Sequence, residues 1–329
     1  MKSSIRMVAA ALIAIAVAAC ASPRITLFPD ATEPLKEVSL EGTGTDKVLM
    51  IPVSGIISDR PKSKFLQTMP SMVQEVVSHL RLAEKDPHVK ALLLKVDSPG
   101  GTTTASDILY HELSAFKQRT EMPIVVSMMN IATSGGYYIS LPADVIMAHP
   151  TTVTGSIGVI LVRPEVSGLM QKLGVAVAVN KSGANKDMGS PFHPATPAQE
   201  KMLQALTDML AQRFIALVGK HRKLEGTRLD NIADARIMLA DDAVAAGLVD
   251  RIGYLEDAVD KARQMAGLAS DARVVTYRRT EYPDDNLYNV LSGGRQPEPL
   301  AMVDLGPVGD LLSMESGFCY IWPQALAAP

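Results

Sequence analysis

The chain has 329 residues, 47% hydrophobic and 20% charged, with 32 Lys and Arg against 35 Asp and Glu. That balance excludes wholesale disorder, and a net charge of −3 leaves no bulk basic excess for nucleic acid and no acidic tail. Two cysteines, Cys20 and Cys319, exclude a disulfide-rich scaffold and a multi-cysteine zinc centre, and the 5% aromatic content argues against a stacking platform for single-stranded nucleic acid.

At the N-terminus, Lys2 and Arg6 precede an uncharged run, Met7 to Ala19. As a helix it spans about 20 Å against about 30 Å of hydrocarbon, so it reads as a signal peptide rather than a stable span. Val17-Ala18-Ala19-Cys20 resembles a bacterial lipoprotein box, which implies a lipid on Cys20 and an extracytoplasmic, periplasmic location at the cell membrane. The expected organisation is a signal peptide over 1–19, a Pro-, Thr- and Glu-rich tether over 20–46, one main folded domain over 47–277, and a C-terminal extension of unassigned role over 278–329.

Order is expected from Val48-Leu49-Met50-Ile51-Pro52-Val53, a buried strand. A helix is expected over Phe65–Glu84, a strand at Ala91–Val96, a helix at Ser106–Lys117 and a strand at Pro123–Met128. Short strands follow at Val145–Met147 and Val175–Val179. The longest helix is expected over Thr196–His221, with Thr196 and Gln199 in capping-box positions. Helices at Ala240–Ala246 and Leu255–Met265 are each ended by a glycine. Strands alternating with amphipathic helices predict an α/β fold with parallel βαβ units.

Three glycine clusters fall at strand ends: Asp97-Ser98-Pro99-Gly100-Gly101, Thr133-Ser134-Gly135-Gly136-Tyr137-Tyr138 and Gly155-Ser156-Ile157-Gly158. None is a phosphate loop or dinucleotide fingerprint. Open α/β sheets place their sites outside the carboxyl ends of strands. A serine at a sharp strand-to-helix turn exposes its hydroxyl, and a following glycine lets a carbonyl approach backbone N–H groups. That is what a nucleophile and half an oxyanion hole require. The bland alternative is an N-cap serine between turn glycines.

A serine nucleophile needs a base. His149 follows a strand near a glycine cluster; His193 lies in a Pro-rich loop. Lys186, in Asn180-Lys181-Ser182-Gly183-Ala184-Asn185-Lys186-Asp187, serves only if desolvation or charge repulsion strips its proton near neutral pH. Spacing does not choose between Lys186 and His149.

In order, these glycine and lysine motifs, with Ala235-Arg236 and Ala245-Ala246-Gly247-Leu248-Val249-Asp250, resemble those of SppA-type signal peptide peptidases over about Val48–Ala266. The resemblance implies a Clp protease/crotonase-like spiral of ββα units. It implies Ser134 as nucleophile, Lys186 as general base, Ser156 orienting that lysine, and Gly135 with Gly101 or Gly100 as oxyanion donors. It further implies no cofactor or metal, signal-peptide remnants as substrates with small or apolar residues in the pocket, and a homo-oligomer, usually an octamer, whose Ser and Lys come from neighbouring copies. Two other classes compete. The fold also hosts acyl-CoA enzymes, which export argues against, and a non-catalytic peptide-binding scaffold, which Ser134 and Lys186 at motif positions disfavour. A Clp-type Ser134–His149 pair is the alternative chemistry.

Overall fold

The computed structural model describes residues 33–64, 67–279, 282, 285–289 and 317–323; the expected signal segment, Cys20 and much of the expected C-terminal extension lie outside them. Strand β1 (Lys36–Glu41) and β2 (Lys47–Ser54) lead to a hairpin of β3 (Lys62–Lys64) and β4 (Gln67–Met69). Helix α1 (Met72–Lys85), β5 (Val89–Ser98), β6 (Gly100–Thr102), α2 (Thr103–Thr120), β7 (Ile124–Thr133) and one-turn α3 (Gly135–Tyr138) follow. Then come β8 (Val145–Ala148), β9 (Val153–Gly155), β10 (Ile160–Val162), α4 (Ser167–Leu173) and the long α5 (Pro197–Arg222). The last elements are α6 (Thr227–Asp230), β11 (Ile237–Leu239), α7 (Ala240–Ala245), β12 (Arg251–Ile252), α8 (Leu255–Met265), β13 (Arg273–Arg278) and β14 (Gly317–Ile321).

The main sheet has the order β1-β13-β2-β5-β7-β8-β12, with β9 on the far end of β7 and β11 on β9. The pairs β13–β2, β2–β5, β5–β7, β7–β8 and β8–β12 are parallel. Its central strands are buried on both faces, which explains why they read as unbroken apolar runs. Along β2 the side chains alternate. Leu49, Ile51 and Val53 share a core with Leu80 of α1 and Leu109, Leu113 and Phe116 of α2. Val48 and Met50 pack with Leu255, Ala258, Val259 and Ala262 of α8.

Three expectations change. Residues 36–41, inside the expected tether, form β1, antiparallel to β13; the edge of β13 supplies the pairing that composition alone does not reveal. The helix expected from Phe65 begins at Met72, because Pro70 precedes Ser71, whose hydroxyl caps the helix by accepting from the Gln74 N–H (3.1 Å). Val175–Val179 is no strand: no neighbouring edge pairs with it among the described residues, and its side chains are exposed.

His79 on α1 is buried with its ring edge against Tyr277 of β13, 5.8 Å between centroids. Burial, helped by the positive charge of Arg279, pushes its pKa down from 6.5 to about 4. The folded state therefore holds His79 neutral, while the unfolded chain takes up a proton near pH 6.5. Stability is present above pH 6.5 and is lost as pH falls toward 4, by about 3 kcal/mol in all. Urea unfolding at pH 7.5 and 4.5 should show a smaller acid loss for His79→Phe than for wild type; equal losses would contradict it.

Candidate active site

Strand β7 ends in a sharp elbow. Ser134 sits at φ +52° and ψ −113° between β7 and α3, a conformation that costs a side-chain-bearing residue about 1–3 kcal/mol. The surroundings impose it. The Ser134 N–H donates to the Gly155 carbonyl (2.8 Å) and its own carbonyl accepts from the Tyr138 N–H (2.8 Å). Tyr137 is anchored by donation from its hydroxyl to the Leu248 carbonyl (2.8 Å). A Cβ on Gly136 would lie 2.7 Å from the Ser98 carbonyl oxygen, so only glycine fits there. Ser134 is 1% exposed, and its Oγ is buried without a hydrogen-bond partner among the described residues. Buried hydroxyls are ordinarily satisfied, so an orphaned one needs a reason.

The turn after β5 runs beside this elbow, because Ser98 and Ala132 are register partners. The Ser98 hydroxyl donates to the Gly55 carbonyl (2.7 Å) and accepts from the Gly100 N–H (3.1 Å). Gly100 takes φ +104°, and a Cβ there would lie 2.8 Å from the Gly135 nitrogen. Gly100 O and Thr102 N pair with Ile57 (2.9 and 3.0 Å). The main-chain groups of Gly101 between them consequently face the other way, onto β14.

Strand β14 is the surprise. It lies between β6 and β10 in a separate three-stranded antiparallel sheet, with Tyr320 opposite Gly101 and Cys319 opposite Ile160. The Trp322 N–H donates to the Pro99 carbonyl (3.0 Å). Antiparallel alternation then makes Gly101–Tyr320 the next hydrogen-bonded pair. A Cβ on Gly100 would overlap the Tyr320 carbonyl oxygen, and one on Gly135 would lie 3.0 Å from it. The apolar run Phe318–Trp322 was visible in the sequence, but nothing there placed it at the glycines. Cys319 is a buried free thiol whose pKa burial raises.

Ser134, Gly135, Gly100 and Gly101 thus converge. Ser156 is next to them through Gly155; it too has a positive φ, +52°, and its N–H donates to the Arg236 carbonyl (2.8 Å). Lys186 is elsewhere. Every residue from 171 to 186 is exposed, and Lys186 stands on this arm, whose loop is closed by Asp187 accepting from Lys181 (2.9 Å) and facing His193 (3.0 Å). His149 does not meet Ser134 either: its ring contacts Thr151 (2.9 Å) and the edge of Tyr254 at the start of α8. Neither base candidate is bonded to the Ser134 hydroxyl within one chain.

Comparison with known proteins decides the family. The model of peptidase family S49 matches residues 116–269, a span that contains Ser134, Ser156 and Lys186. The chain is 38% identical to a protein of Enterococcus faecium named as a signal peptide peptidase SppA, over 77% of this chain and 73% of that one. The chain belongs to peptidase family S49. It is 36% identical to a Synechocystis protein named as a protease, over 68% of this chain and 76% of the other. It is 37% identical to Protease 4 of Haemophilus influenzae, covering 63% of this chain but 34% of that longer protein. This S49 chain is a serine peptidase with a Clp protease/crotonase-like α/β fold, whose parallel-rich sheet carries the glycine turns at its strand ends. Among the described residues no helix is long and apolar enough to cross a membrane.

The elbow strain is measurable. Ser134→Gly removes the Cβ that makes φ +52° costly and should raise stability by about 1 kcal/mol, seen as a higher Tm in thermal unfolding. An unchanged or lower Tm would mean that the elbow is unstrained.

Proposed function

We propose that this chain is a membrane-anchored endopeptidase that degrades cleaved signal peptides and other membrane-associated peptides, with Ser134 as nucleophile and Lys186 of a neighbouring copy as base. The observation that carries the reading is the buried Ser134 hydroxyl, unpartnered among the described residues, at a strained elbow beside Gly100, Gly101 and Gly135. A lysine on an exposed arm supports a base delivered between copies of the chain, with Ser156 beside the elbow to orient its amine. The arm and the helix α4 before it also carry Leu169, Leu173, Val175, Val177 and Val179, and α5 carries Met202, Leu206 and Met209, all exposed. Apolar surface of that extent favours burial in a homo-oligomer, which the resemblance puts at eight copies.

The neutral Lys186 amine takes the Ser134 proton as Oγ attacks the substrate carbonyl. The N–H groups of Gly135 and Gly101 hold the oxyanion, each contributing about 3 kcal/mol to the transition state. The Lys186 ammonium returns the proton to the leaving amine, and the C–N bond breaks. The amine then activates water, which attacks the acyl-enzyme and releases Ser134. Substrates bind as extended strands between β6 and β10, in the place that β14 holds, so β14 must leave that groove first. Lipid on Cys20, outside the described residues, would hold the enzyme at the periplasmic face of the membrane.

Two experiments test this. Peptide hydrolysis should disappear in Ser134→Ala and in Lys186→Ala and persist in His149→Ala, and mixing the two inactive proteins should restore turnover if the dyad forms between copies. Activity lost only in His149→Ala would replace the base; no recovery on mixing would place the dyad within one chain. Separately, Cys20→Ser should move the protein from the membrane fraction to the soluble one and abolish incorporation of labelled fatty acid; unchanged fractionation would remove the anchor.

A further inference from the structure

Strand β7 changes neighbour on its way to Ser134. From Val125 to Met128 it pairs with β8; from Ile131 to Thr133 it pairs with β9 instead. The change falls on a bulge. Val96 of β5 lies opposite Met128, but Ser98 lies opposite Ala132, so Asp97 alone faces Met129, Asn130 and Ile131. The two surplus residues set the position of the elbow. In the register of Val96 and Met128, Ser134 would fall level with Thr102; in the register of Ser98 and Ala132 it falls level with Gly100. The difference is about 7 Å of strand. The bulge thus draws the elbow back to the glycine turn, where a Cβ on Gly100 would lie 2.8 Å from the Gly135 nitrogen.

Two side chains hold the surplus in place. On the β5 side, the Asp97 carboxylate accepts from the Ile131 N–H (3.1 Å), standing in for the carbonyl that a regular ladder would supply. The main chain of Asp97 is fixed in turn, because its carbonyl accepts from the Gly55 N–H (3.0 Å). On the other side, the hydroxyl of the fully buried Thr152 lies 2.5 Å from the Met129 carbonyl oxygen and 3.0 Å from that of Met128, and donates between them. Beyond the bulge, the Thr154 hydroxyl donates to the Ala132 carbonyl (2.7 Å) and the Thr133 hydroxyl to the Pro99 carbonyl (3.2 Å). The last residues before the elbow are thereby tied to β9 and to the glycine turn. A bulge beside a site re-aims the side chain that follows it. Without the Asp97 and Thr152 contacts the surplus residues can redistribute along β7, and a displacement of about 1 Å at a reacting group costs about a hundredfold in rate.

Resting on the reading of Ser134 as nucleophile, we propose that Asp97 and Thr152 are positioning residues, which act through the backbone of β7 by clamping the bulge that sets Ser134 and Gly135 against the Gly100–Gly101 turn. In full-length protein, Asp97→Ala and Thr152→Val should each lower kcat for peptide hydrolysis about 10- to 100-fold while KM changes less than about threefold, because binding is kept and alignment is lost. Asp97→Asn keeps an acceptor and Thr152→Ser keeps the hydroxyl, so each should recover most of that loss. Thermal unfolding of the same proteins separates alignment from stability. A lower Tm with unchanged kcat in Asp97→Ala and Thr152→Val would reduce both residues to structural staples and overturn the proposal. An Asp97→Asn protein as impaired as Asp97→Ala would overturn it too, since charge rather than the hydrogen bond would then matter. If Asp97→Ala fails to fold, the comparison of Thr152→Val with Thr152→Ser decides by itself. Hydrolysis that survives Ser134→Ala would instead overturn the nucleophile reading on which the proposal rests.

Discussion

The geometry of the site depends on backbone crowding at one point. Strands β5 and β7 run parallel and adjacent, so the turns that leave them are pressed together: the Gly135 nitrogen approaches the α-carbon of Gly100, and Gly136 approaches the Ser98 carbonyl. No side chain fits between them. The glycines meet this constraint, and the positive φ of Ser134 follows from it, because β7 must turn at once into α3 without spreading the two turns. Peptide N–H groups and a hydroxyl are thereby held in a space where water has little room, the condition under which fixed dipoles act most strongly on developing charge.

Buried and exposed duties are divided along the chain. The elbow is buried, tied to β9 through Gly155 and to the turn before β12 through the Tyr137 hydroxyl and Leu248. The arm from 171 to 186 is exposed throughout and touches little of its own protomer. On the proposed reading this separation keeps a newly made chain inert: the nucleophile is formed as the domain folds, whereas its base arrives only on assembly.

Much of this was legible in the sequence, and the exceptions share a cause. The core strands β2, β5 and β7 announce themselves because burial on both faces demands continuous apolar runs. The start of α5 is legible because the capping box is local: the Thr196 hydroxyl accepts from the Gln199 N–H (3.3 Å) and the Gln199 side chain accepts from the Thr196 N–H (3.0 Å). Strands β1 and β14 are held by partners more than 150 residues away in the chain, so no window of sequence contains the reason for them. The site divides in the same way. Ser-Gly-Gly at a strand end marks the elbow, but Tyr320 meets Gly100 and Gly135 only in the fold, and no spacing connects them. Whether Lys186 or His149 lies near Ser134 was likewise beyond spacing, since position in the fold decides it.

The small strand β1 also sets a length. It fastens the chain to the edge of the domain from Lys36 onward, sixteen residues after Cys20. On the proposed reading, with a lipid on that cysteine, the length of chain between it and Lys36 sets an upper bound of about 55 Å on their separation. On that reading the peptidase works within a thin layer above the bilayer, sampling peptides that leave the lipid and missing those already far from it.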